Sequence, residues 1–281
     1  MSTLVTGVTG QVGIGFLPRL LAQARPGEQV RVLLRDAARA DRLADLGADV
    51  VLGDLRDTEA LGKALAGVDA VVNIAAAFRG VPDEEVWAVN RDAALELARA
   101  ALASGVRRFV QVSTNLVYGA GRGRPHTEDD PSVPGGPMWT AYPQSKAEAE
   151  RGLLALDGLD LRIGRLAYVY GEGDPHLAAV TRWTAHWPAT KRFHLVHVAD
   201  VAQGLLRLLY APGADGRVYN IADDAPVTAL ELHQLLGADL PAEGVDADPW
   251  HGLVSTDRIR RELGYRPQYP TLRSARDAGA L

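Results

Sequence analysis

The stretch Thr6-Gly7-Val8-Thr9-Gly10-Gln11-Val12-Gly13 determines the predicted fold. It follows the short apolar run Thr3-Leu4-Val5 and leads into an apolar-periodic segment that starts at Ile14. Strand, glycine turn and helix, in this order, form the local structure that a phosphate-binding loop needs. Gly7 permits a tight turn, and Gly10 lets the backbone approach a pyrophosphate at the positive end of the helix dipole. A GxxGxxG motif alone is a weak signal, so its context decides what it binds.

Apolar strands alternate with helical segments through the first 166 residues. The alternation predicts parallel βαβ units with right-handed crossovers, and the uniformly apolar strands predict helices on both faces of the sheet. The fold class that follows is α/β, a Rossmann doubly wound parallel sheet, and a glycine turn at its head favours dinucleotide binding. The predicted strands are residues 3–5, 30–34, 50–52, 68–74, 109–112, 159–166, 193–196 and 218–221. The predicted helices after the first are residues 37–46, 58–65, 83–104, 141–156, 177–187 and 198–209.

The regular alternation stops in a Gly- and Pro-rich connection at residues 116–140. A long connection without regular structure is usually functional, and this one follows the fifth strand at the sheet edge where α/β proteins bind ligands. We expect a dinucleotide-binding domain and a small C-terminal substrate-binding lobe. The domain comprises residues 1–166 and a returning segment at about 198–221, and the lobe comprises residues 167–197 and 222–281.

The composition limits the classes of partner. The 281 residues can bury a full core, and the net charge of -5 gives no reason to expect nucleic acid or an anionic membrane as partner. The chain has no cysteine, which excludes disulfides and fits a reducing compartment. Its seven histidines show no ligand spacing, so no metal site is predicted. With no export leader and no apolar run near the roughly 18 residues that span a bilayer, we expect a cytoplasmic protein that binds a small molecule.

Tyr142 and Lys146 stand four residues apart at the start of a predicted helix and therefore share one face. An ammonium beside a phenol favours the ionised phenol, which suits Tyr142 to proton transfer near neutral pH. On its own this pair is better explained as part of a solvated helix face. Ser113 and Thr114 at the end of the fifth strand change the balance, because a hydroxyl there can hold a substrate oxygen beside Tyr142.

The chain resembles the extended short-chain dehydrogenase/reductase family, also called the NAD-dependent epimerase/dehydratase family. The resemblance rests on three features in this order: the glycine turn, the strand-end hydroxyls and the YxxxK pair. The resemblance covers nearly the whole chain, and its motifs are specific only together. They are residues 6–13, 53–55, 73–77, 89–90, 113–119, 142–146, 165–171, 197–202 and 219–221.

The resemblance implies a role for individual residues. Tyr142 would be the catalytic acid or base, Lys146 would bind the nicotinamide ribose and lower the pKa of the tyrosine, and Thr114 would polarise the substrate oxygen. Asn90 matches a helix asparagine of the family, and it can equally serve to organise the region after the fourth strand. The residues implied in cofactor binding are Gly7, Thr9, Gly10, Gln11, Val12, Asp54, Leu55, Ala75, Ala76, Tyr142 and Lys146.

The end of the second strand bears on the choice between NAD and NADP. NAD-preferring relatives place an acidic residue there to accept a hydrogen bond from the ribose 2'-hydroxyl. Here that position is Arg35, followed by Asp36, with Arg39 one helical turn on. Guanidinium groups bind a 2'-phosphate, so Arg35 and Arg39 favour NADP. Asp36 can still take the acidic role, which keeps NAD possible.

Departures from the family pattern concern the substrate. Dehydratases follow the catalytic threonine with an acidic pair, where this chain has Asn115-Leu116. Epimerases place a phosphate-binding arginine four residues before His197, where this chain has Phe193. A small or weakly charged substrate is therefore expected. Aromatic residues that can hold it, or can equally form the core of the small lobe, are Trp139, Trp183, Trp187 and Phe193.

Three functions remain open from the sequence. The first is an NAD(P)-dependent oxidoreductase that transfers a hydride between nicotinamide and a secondary alcohol or carbonyl. The second is a nucleotide-sugar epimerase with tightly bound NAD, and the third is a non-catalytic dinucleotide-sensing protein on the same fold. Thr114, Tyr142 and Lys146 are all present, which favours an enzyme. The resemblance also implies a homodimer that pairs through the helices at residues 83–104 and 141–156.

Overall fold

The structure is a computed structural model, and it describes residues 1–135, 141–172 and 174–281. The strands in these ranges are β1 (Ser2–Thr6), β2 (Gln29–Leu34), β3 (Asp49–Leu52), β4 (Ala70–Asn73), β5 (Arg108–Thr114), β6 (Asp160–Leu166), β7 (Tyr168–Tyr170), β8 (Arg192–Phe193), β9 (Leu195–His197), β10 (Arg217–Ile221) and β11 (Val227–Thr228). The α-helices are α1 (Gln11–Gln23), α2 (Ala40–Asp45), α3 (Thr58–Leu65), α4 (Asp83–Trp87), α5 (Ala94–Ala103), α6 (Ala141–Leu154), α7 (Pro175–Thr184), α8 (Val198–Tyr210), α9 (Ala229–Leu236), α10 (Asp257–Leu263) and α11 (Leu272–Asp277).

Seven of these strands form one sheet in the order β10-β6-β5-β4-β1-β2-β3. Every neighbouring pair in it is parallel. The interior strand β1 places Val5 opposite Val32 of β2 and Val72 of β4, and all three valines are fully buried. Because the carboxyl ends of parallel strands meet at one edge, the glycine turn after β1 lies on the same edge as the ends of β4 and β5.

Helices cover both faces of the sheet. On one face α1 and α8 bury Phe16 and Leu205, and on the other α3, α5 and α6 bury Leu61, Leu97 and Leu153. Such two-sided burial explains why most strand residues are buried on both faces of the sheet instead of alternating between buried and exposed. The predicted doubly wound Rossmann sheet is confirmed.

The strand predicted at residues 193–196 is wrong, because the chain changes partners at His194. β8 pairs antiparallel with β11, whereas β9 pairs parallel with β7. The buried imidazole of His194 accepts a hydrogen bond from the Val254 N–H at 3.2 Å, and its other nitrogen lies 3.3 Å from the Asp223 carbonyl oxygen. These side-chain bonds hold the backbone between two small sheets.

The helix predicted at residues 83–104 is also modified. It consists of α4 and α5 joined by a π-helical segment, Ala88–Ala93. Such wide turns occur mostly as single insertions and often near functional sites. This one carries Asn90, which is fully buried.

Residues beyond β6 build a third apolar cluster that includes Leu177, Val180, Leu195 and Leu232. The predicted division into a domain and a lobe stays a prediction, although the cluster shows that this part of the chain has apolar packing of its own. The connection after β5 begins with a 3-10 turn, Asn115–Tyr118, and His126 then forms a bridge with Val254. None of the described helices is long and apolar enough to cross a bilayer.

Candidate active site

The glycine turn is packed too tightly for side chains at two of its positions. Gly7 has φ +71°, and a Cβ there would lie 2.5 Å from the Ala75 backbone nitrogen. A Cβ at Gly13 would overlap the backbone of Gly7 and Val8. Gly10 is the N-cap of α1 and supplies no capping side chain, so the first N–H groups of the helix remain available to an anion.

A cleft of about 1320 Å³ opens above this turn along the carboxyl edge of the sheet. It collects almost all of the residues predicted to form the site. Those that line it are Gly7, Thr9, Gly10, Gln11, Val12, Arg35, Asp54, Leu55, Ala75, Ala76, Thr114, Tyr142 and Lys146. Arg39 is not among the lining residues, and its guanidinium instead pairs with Asp36 at 3.4 Å.

The three proposed catalytic side chains come from two elements. Thr114 ends β5, while Tyr142 and Lys146 lie on the first turns of α6, whose buried Ala147 and Leu153 fix the helix against the sheet. The Lys146 ammonium is only 2% exposed and donates a hydrogen bond to the Val112 carbonyl at 3.2 Å. The Thr114 hydroxyl is hydrogen-bonded to the Tyr142 phenol.

The pKa of Tyr142 is shifted in the direction opposite to the prediction. Burial raises this pKa to about 12, because the phenolate loses its hydration, while the hydrogen bond to Thr114 and the charge of Arg79 lower it. The role of Lys146 in lowering this pKa stays a prediction. Burial also lowers the pKa of Lys146 to about 8, against the opposing charge of Glu150. The structure therefore holds Tyr142 as a protonated phenol over the physiological pH range.

Comparison with known proteins agrees with this geometry. The sequence matches the profile of the NAD dependent epimerase/dehydratase family over residues 3–222. The chain belongs to this family. It is 32% identical to a quinoline-1-oxide ketoreductase of Stigmatella aurantiaca, over 94% of this chain and 80% of that protein. It is 33% identical to a dTDP-glucose 4,6-dehydratase of Streptomyces griseus, over 94% of this chain and 88% of that protein.

Solved structures of the epimerase/dehydratase family superpose over nearly the whole chain. A dTDP-glucose 4,6-dehydratase from Streptomyces venezuelae with NAD bound has a TM-score of 0.79 and 30% identity, and covers 99% of this chain and 97% of its own. A short-chain dehydrogenase/reductase superfamily protein from Agrobacterium tumefaciens with NAD bound has a TM-score of 0.80 and 26% identity, covering 99% and 96%. The protein is an oxidoreductase of this family that binds a nicotinamide dinucleotide, as predicted.

The end of the cleft that is lined by Arg35 and Asp54 is rich in paired charges. Arg35 is largely exposed, and its Nη1 lies 3.9 Å from the Asp54 carboxylate. Arg56, which the sequence analysis did not single out, donates to Asp54 at 2.9 Å and to Glu85 at 3.1 Å. Asp36 accepts a hydrogen bond from the Ala38 N–H at 3.0 Å in addition to pairing with Arg39. The Arg35 guanidinium thus borders the cleft, while the Asp36 carboxylate caps the following turn.

Asn90 has the organising role that the sequence left open. Its amide oxygen accepts from the Ala77 N–H at 2.9 Å, and its amide nitrogen donates to the Ala77 carbonyl at 2.8 Å and to Ser145 Oγ at 3.3 Å. Ser145 in turn donates to the Tyr142 carbonyl at 2.9 Å. The π-helical turn therefore connects the segment after β4 with the helix that carries the phenol.

Aromatic rings form the far end of the cleft. Trp183, Trp187 and Phe193 line it together with Tyr168, and the Trp183 and Phe193 centroids lie 5.9 Å apart. Trp183 and Phe193 also pack against the third apolar cluster, and their role in holding a substrate stays a prediction. Trp139 lies outside the described residues.

Proposed function

We propose that the protein is an NADP-dependent reductase or dehydrogenase, which transfers a hydride between nicotinamide and the carbonyl or secondary alcohol carbon of a small substrate. The observation that supports this most directly is the single cleft lined by the glycine turn, Thr114, Tyr142 and Lys146. The relative that reduces a ketone and the NAD-bound relatives are consistent with it.

The residues of the cleft fit a dinucleotide. The uncapped start of α1 would receive the pyrophosphate, and Asp54, Leu55 and Ala75 would border the adenine and the path to the nicotinamide. The bound cofactor would supply the hydride. Lys146, whose ammonium already lies at the floor of the cleft, would donate to the nicotinamide ribose.

The phenol acts as the proton donor in the reducing direction. The Thr114 hydroxyl orients the Tyr142 phenol and can share the substrate oxygen, so the developing alkoxide receives a proton as the carbon receives the hydride. The phenolate left behind is stabilised by the same hydroxyl and by nearby positive charge. In the oxidising direction the proton returns along the same path.

Dehydration and epimerisation have less support. Asn115 donates to the Gly252 carbonyl at 2.6 Å, and Leu116 lines the cleft, so neither residue supplies an acid or base for elimination. Phe193 stands in the aromatic wall where an epimerase needs a pyrophosphate ligand.

The preference for NADP rests on Arg35. Its exposed guanidinium borders the cleft, and Asp36 is engaged by the Ala38 N–H and Arg39. A 2'-phosphate would replace Asp54 as the partner of Arg35 at little expense, since their separation of 3.9 Å is a loose ion pair.

The test is a titration of the protein with NADPH and with NADH, followed by a screen of carbonyl compounds for loss of nicotinamide absorbance. We expect tighter binding of NADPH, and we expect Arg35→Ser to weaken NADPH about 10- to 100-fold with little change for NADH. Arg42→Ser is the matched control, because Arg42 is exposed on α2 and does not line the cleft. Equal affinities for both cofactors contradict the NADP preference, and failure to turn over any carbonyl contradicts the reductase.

The predicted homodimer and cytoplasmic location also belong to this proposal. Leu102 of α5 and Leu154 of α6 are exposed on the two helices that would pair, which is consistent with a covered surface there.

A further inference from the structure

Arg79 occupies an unusual backbone position in the cleft wall. It follows β4 with φ +52°, the one described residue other than glycine that has a positive φ. This conformation is uncommon for a residue with a side chain and persists only where the surrounding structure holds it. Arg79 lines the cleft, so the strained turn directs an arginine toward its far, aromatic end.

Three aromatic rings surround the Arg79 guanidinium. Its central carbon lies 5.1 Å from the Phe78 ring centroid, 5.8 Å from that of Tyr168 and 5.7 Å from that of Trp183. Cation–π contacts of this kind hold the charge in place and remove part of its hydration. A less hydrated guanidinium attracts an anion more strongly than one in open solvent.

The same guanidinium is close to the reacting centre. Its charge lowers the pKa of the Tyr142 phenol, and the Phe78 ring beneath it lies 5.1 Å from the Tyr142 ring. Arg79 therefore stands between the proton donor and the aromatic rings at the far end of the cleft.

Two other basic side chains, Lys191 and Arg192, also line this end of the cleft. Lys191 pairs with Asp246 at 3.5 Å. The Arg192 Nε donates to the Pro249 carbonyl at 2.9 Å, and its guanidinium lies over the Trp250 ring. Of the three, Arg79 is the cation whose charge reaches the phenol.

We propose that Arg79 determines substrate specificity by binding an anionic oxygen of the substrate, and that the preferred substrates are flat oxo acids. Their carboxylate pairs with the Arg79 guanidinium, while the planar part packs against the aromatic rings that line the far end of the cleft. The reduced carbon lies near Tyr142, and the carboxylate is unchanged by the reaction. The inference rests on the proposed carbonyl reduction and specifies its substrate class.

The experiment compares aryl oxo acids with their methyl esters, using phenylglyoxylate and 3-benzoylpropionate with the ester of each. Binding to the NADPH-loaded protein is followed by tryptophan fluorescence, since Trp183 lies beside the site, and turnover is followed by nicotinamide absorbance. We expect at least one acid to bind about 10-fold or more tighter than its ester. Arg79→Met should remove that preference by weakening the acid and leaving the ester nearly unchanged, and Arg79→Lys should restore part of it.

Lys191→Met is the matched control, because it also removes a cation that lies over an aromatic ring of the cleft. It should leave the acid-to-ester ratio as in the parent protein. If Arg79 has only a structural role, its substitution will weaken the binding of acid and ester equally, and that result overturns the proposal. The proposal is also overturned if the parent protein binds each ester as tightly as its acid, or if it binds neither acid. Tight acid binding without turnover of any carbonyl would instead contradict the proposed reductase.

Discussion

At the residue scale, opposing effects set the proton affinity of the Tyr142 phenol. Burial holds the proton on Tyr142, while Thr114 and Arg79 act in the opposite direction and moderate the effect. A phenol that stays protonated at neutral pH is suited to donate to a ketone oxygen. The sequence predicted Lys146 as the cation beside Tyr142. Its ammonium donates to the Val112 carbonyl, and its influence on the pKa of the phenol stays a prediction.

Tyr142→Phe removes the proton donor and leaves the ring in place. We expect turnover of any carbonyl substrate to fall about 10²- to 10⁴-fold, with the affinity for NADPH nearly unchanged. Stopped-flow measurement of the hydride-transfer step, beside a cofactor titration, separates the two quantities.

Tyr118→Phe is the control for the loss of a buried hydroxyl. Tyr118 donates to the Asn220 side chain at 2.9 Å and does not line the cleft, and its pKa is likewise raised to about 12 by burial. If Tyr142→Phe and Tyr118→Phe reduce turnover equally, the assignment of Tyr142 as proton donor is wrong.

A site residue could be predicted from the sequence when its position depends on nearby residues in the chain. Thr114, Tyr142 and Lys146 stand at strand and helix ends with fixed spacing, so the sequence could bring them to one edge. Arg79 has no motif, because its direction depends on a positive φ and on rings from β7 and α7 that meet only in the folded chain. Asn90 was recognised, but the π-helical turn that aims it was not.

At the element scale, α1 can pack against the turn after β1 only because Gly13, in its first turn, has no side chain. A Cβ on Gly13 would overlap the Gly7 carbonyl and the Val8 backbone, neither of which can move without displacing the turn. The close fit of helix on strand therefore fixes the direction of the N–H groups that face the cleft.

Gly13→Ala should destabilise the protein by about 2 kcal/mol or more and abolish measurable dinucleotide binding, because the backbone has to shift. Urea unfolding and an NADPH titration measure the two effects.

Gly62→Ala is the matched control within α3. A Cβ at Gly62 meets no atom within 4 Å, so this change should stabilise the helix by roughly 0.5–1 kcal/mol. If Gly13→Ala behaves like Gly62→Ala, the turn is not the tightly packed element described here.

Helices and strands could be predicted from the sequence wherever their residues are buried uniformly. The prediction failed where a side chain redirects the backbone. Most residues of the strands β1, β2, β4, β5 and β6 are buried on both faces, so their pattern is recognisable without tertiary information. The apolar run around His194 has the same appearance in sequence, yet the His194 imidazole bonds to Val254 and divides it between β8 and β9. No local pattern distinguishes the two cases.

At the scale of the whole molecule, the junction between the main sheet and the residues beyond it contains a buried acid. Asp223 follows β10 and is 2% exposed, and neither carboxylate oxygen has a hydrogen-bond partner among the described residues. The nearest basic group is the His194 imidazole, 3.5 Å away, and burial lowers the pKa of His194 to about 4, so it is neutral at physiological pH. Burial, reinforced by the negative charges of Asp224 and Asp200, raises the pKa of Asp223 to about 9.

This shift makes global stability depend on pH. The folded state binds the Asp223 proton more tightly than the unfolded chain, whose carboxyl has the ordinary value of 3.8. The stabilisation from this group is therefore complete below pH 4 and is lost progressively as the pH rises toward 9. The phenols of Tyr170 and Tyr265, which face the same acid, have raised pKa values and remain neutral in this range.

Asp223→Asn should remove this dependence, since the amide keeps the shape of the protonated acid and cannot ionise. We expect the variant to match the parent near pH 4 and to exceed it at pH 8.5 by at least about 2 kcal/mol in the free energy of unfolding. Urea denaturation at both pH values, followed by tryptophan fluorescence, measures the difference.

Asp224→Asn is the control, because Asp224 is exposed and paired with Arg260, so its loss should change stability by no more than about 1 kcal/mol at either pH. A parent protein whose advantage over Asp223→Asn grows with pH would mean that the acid is ionised and satisfied at this junction.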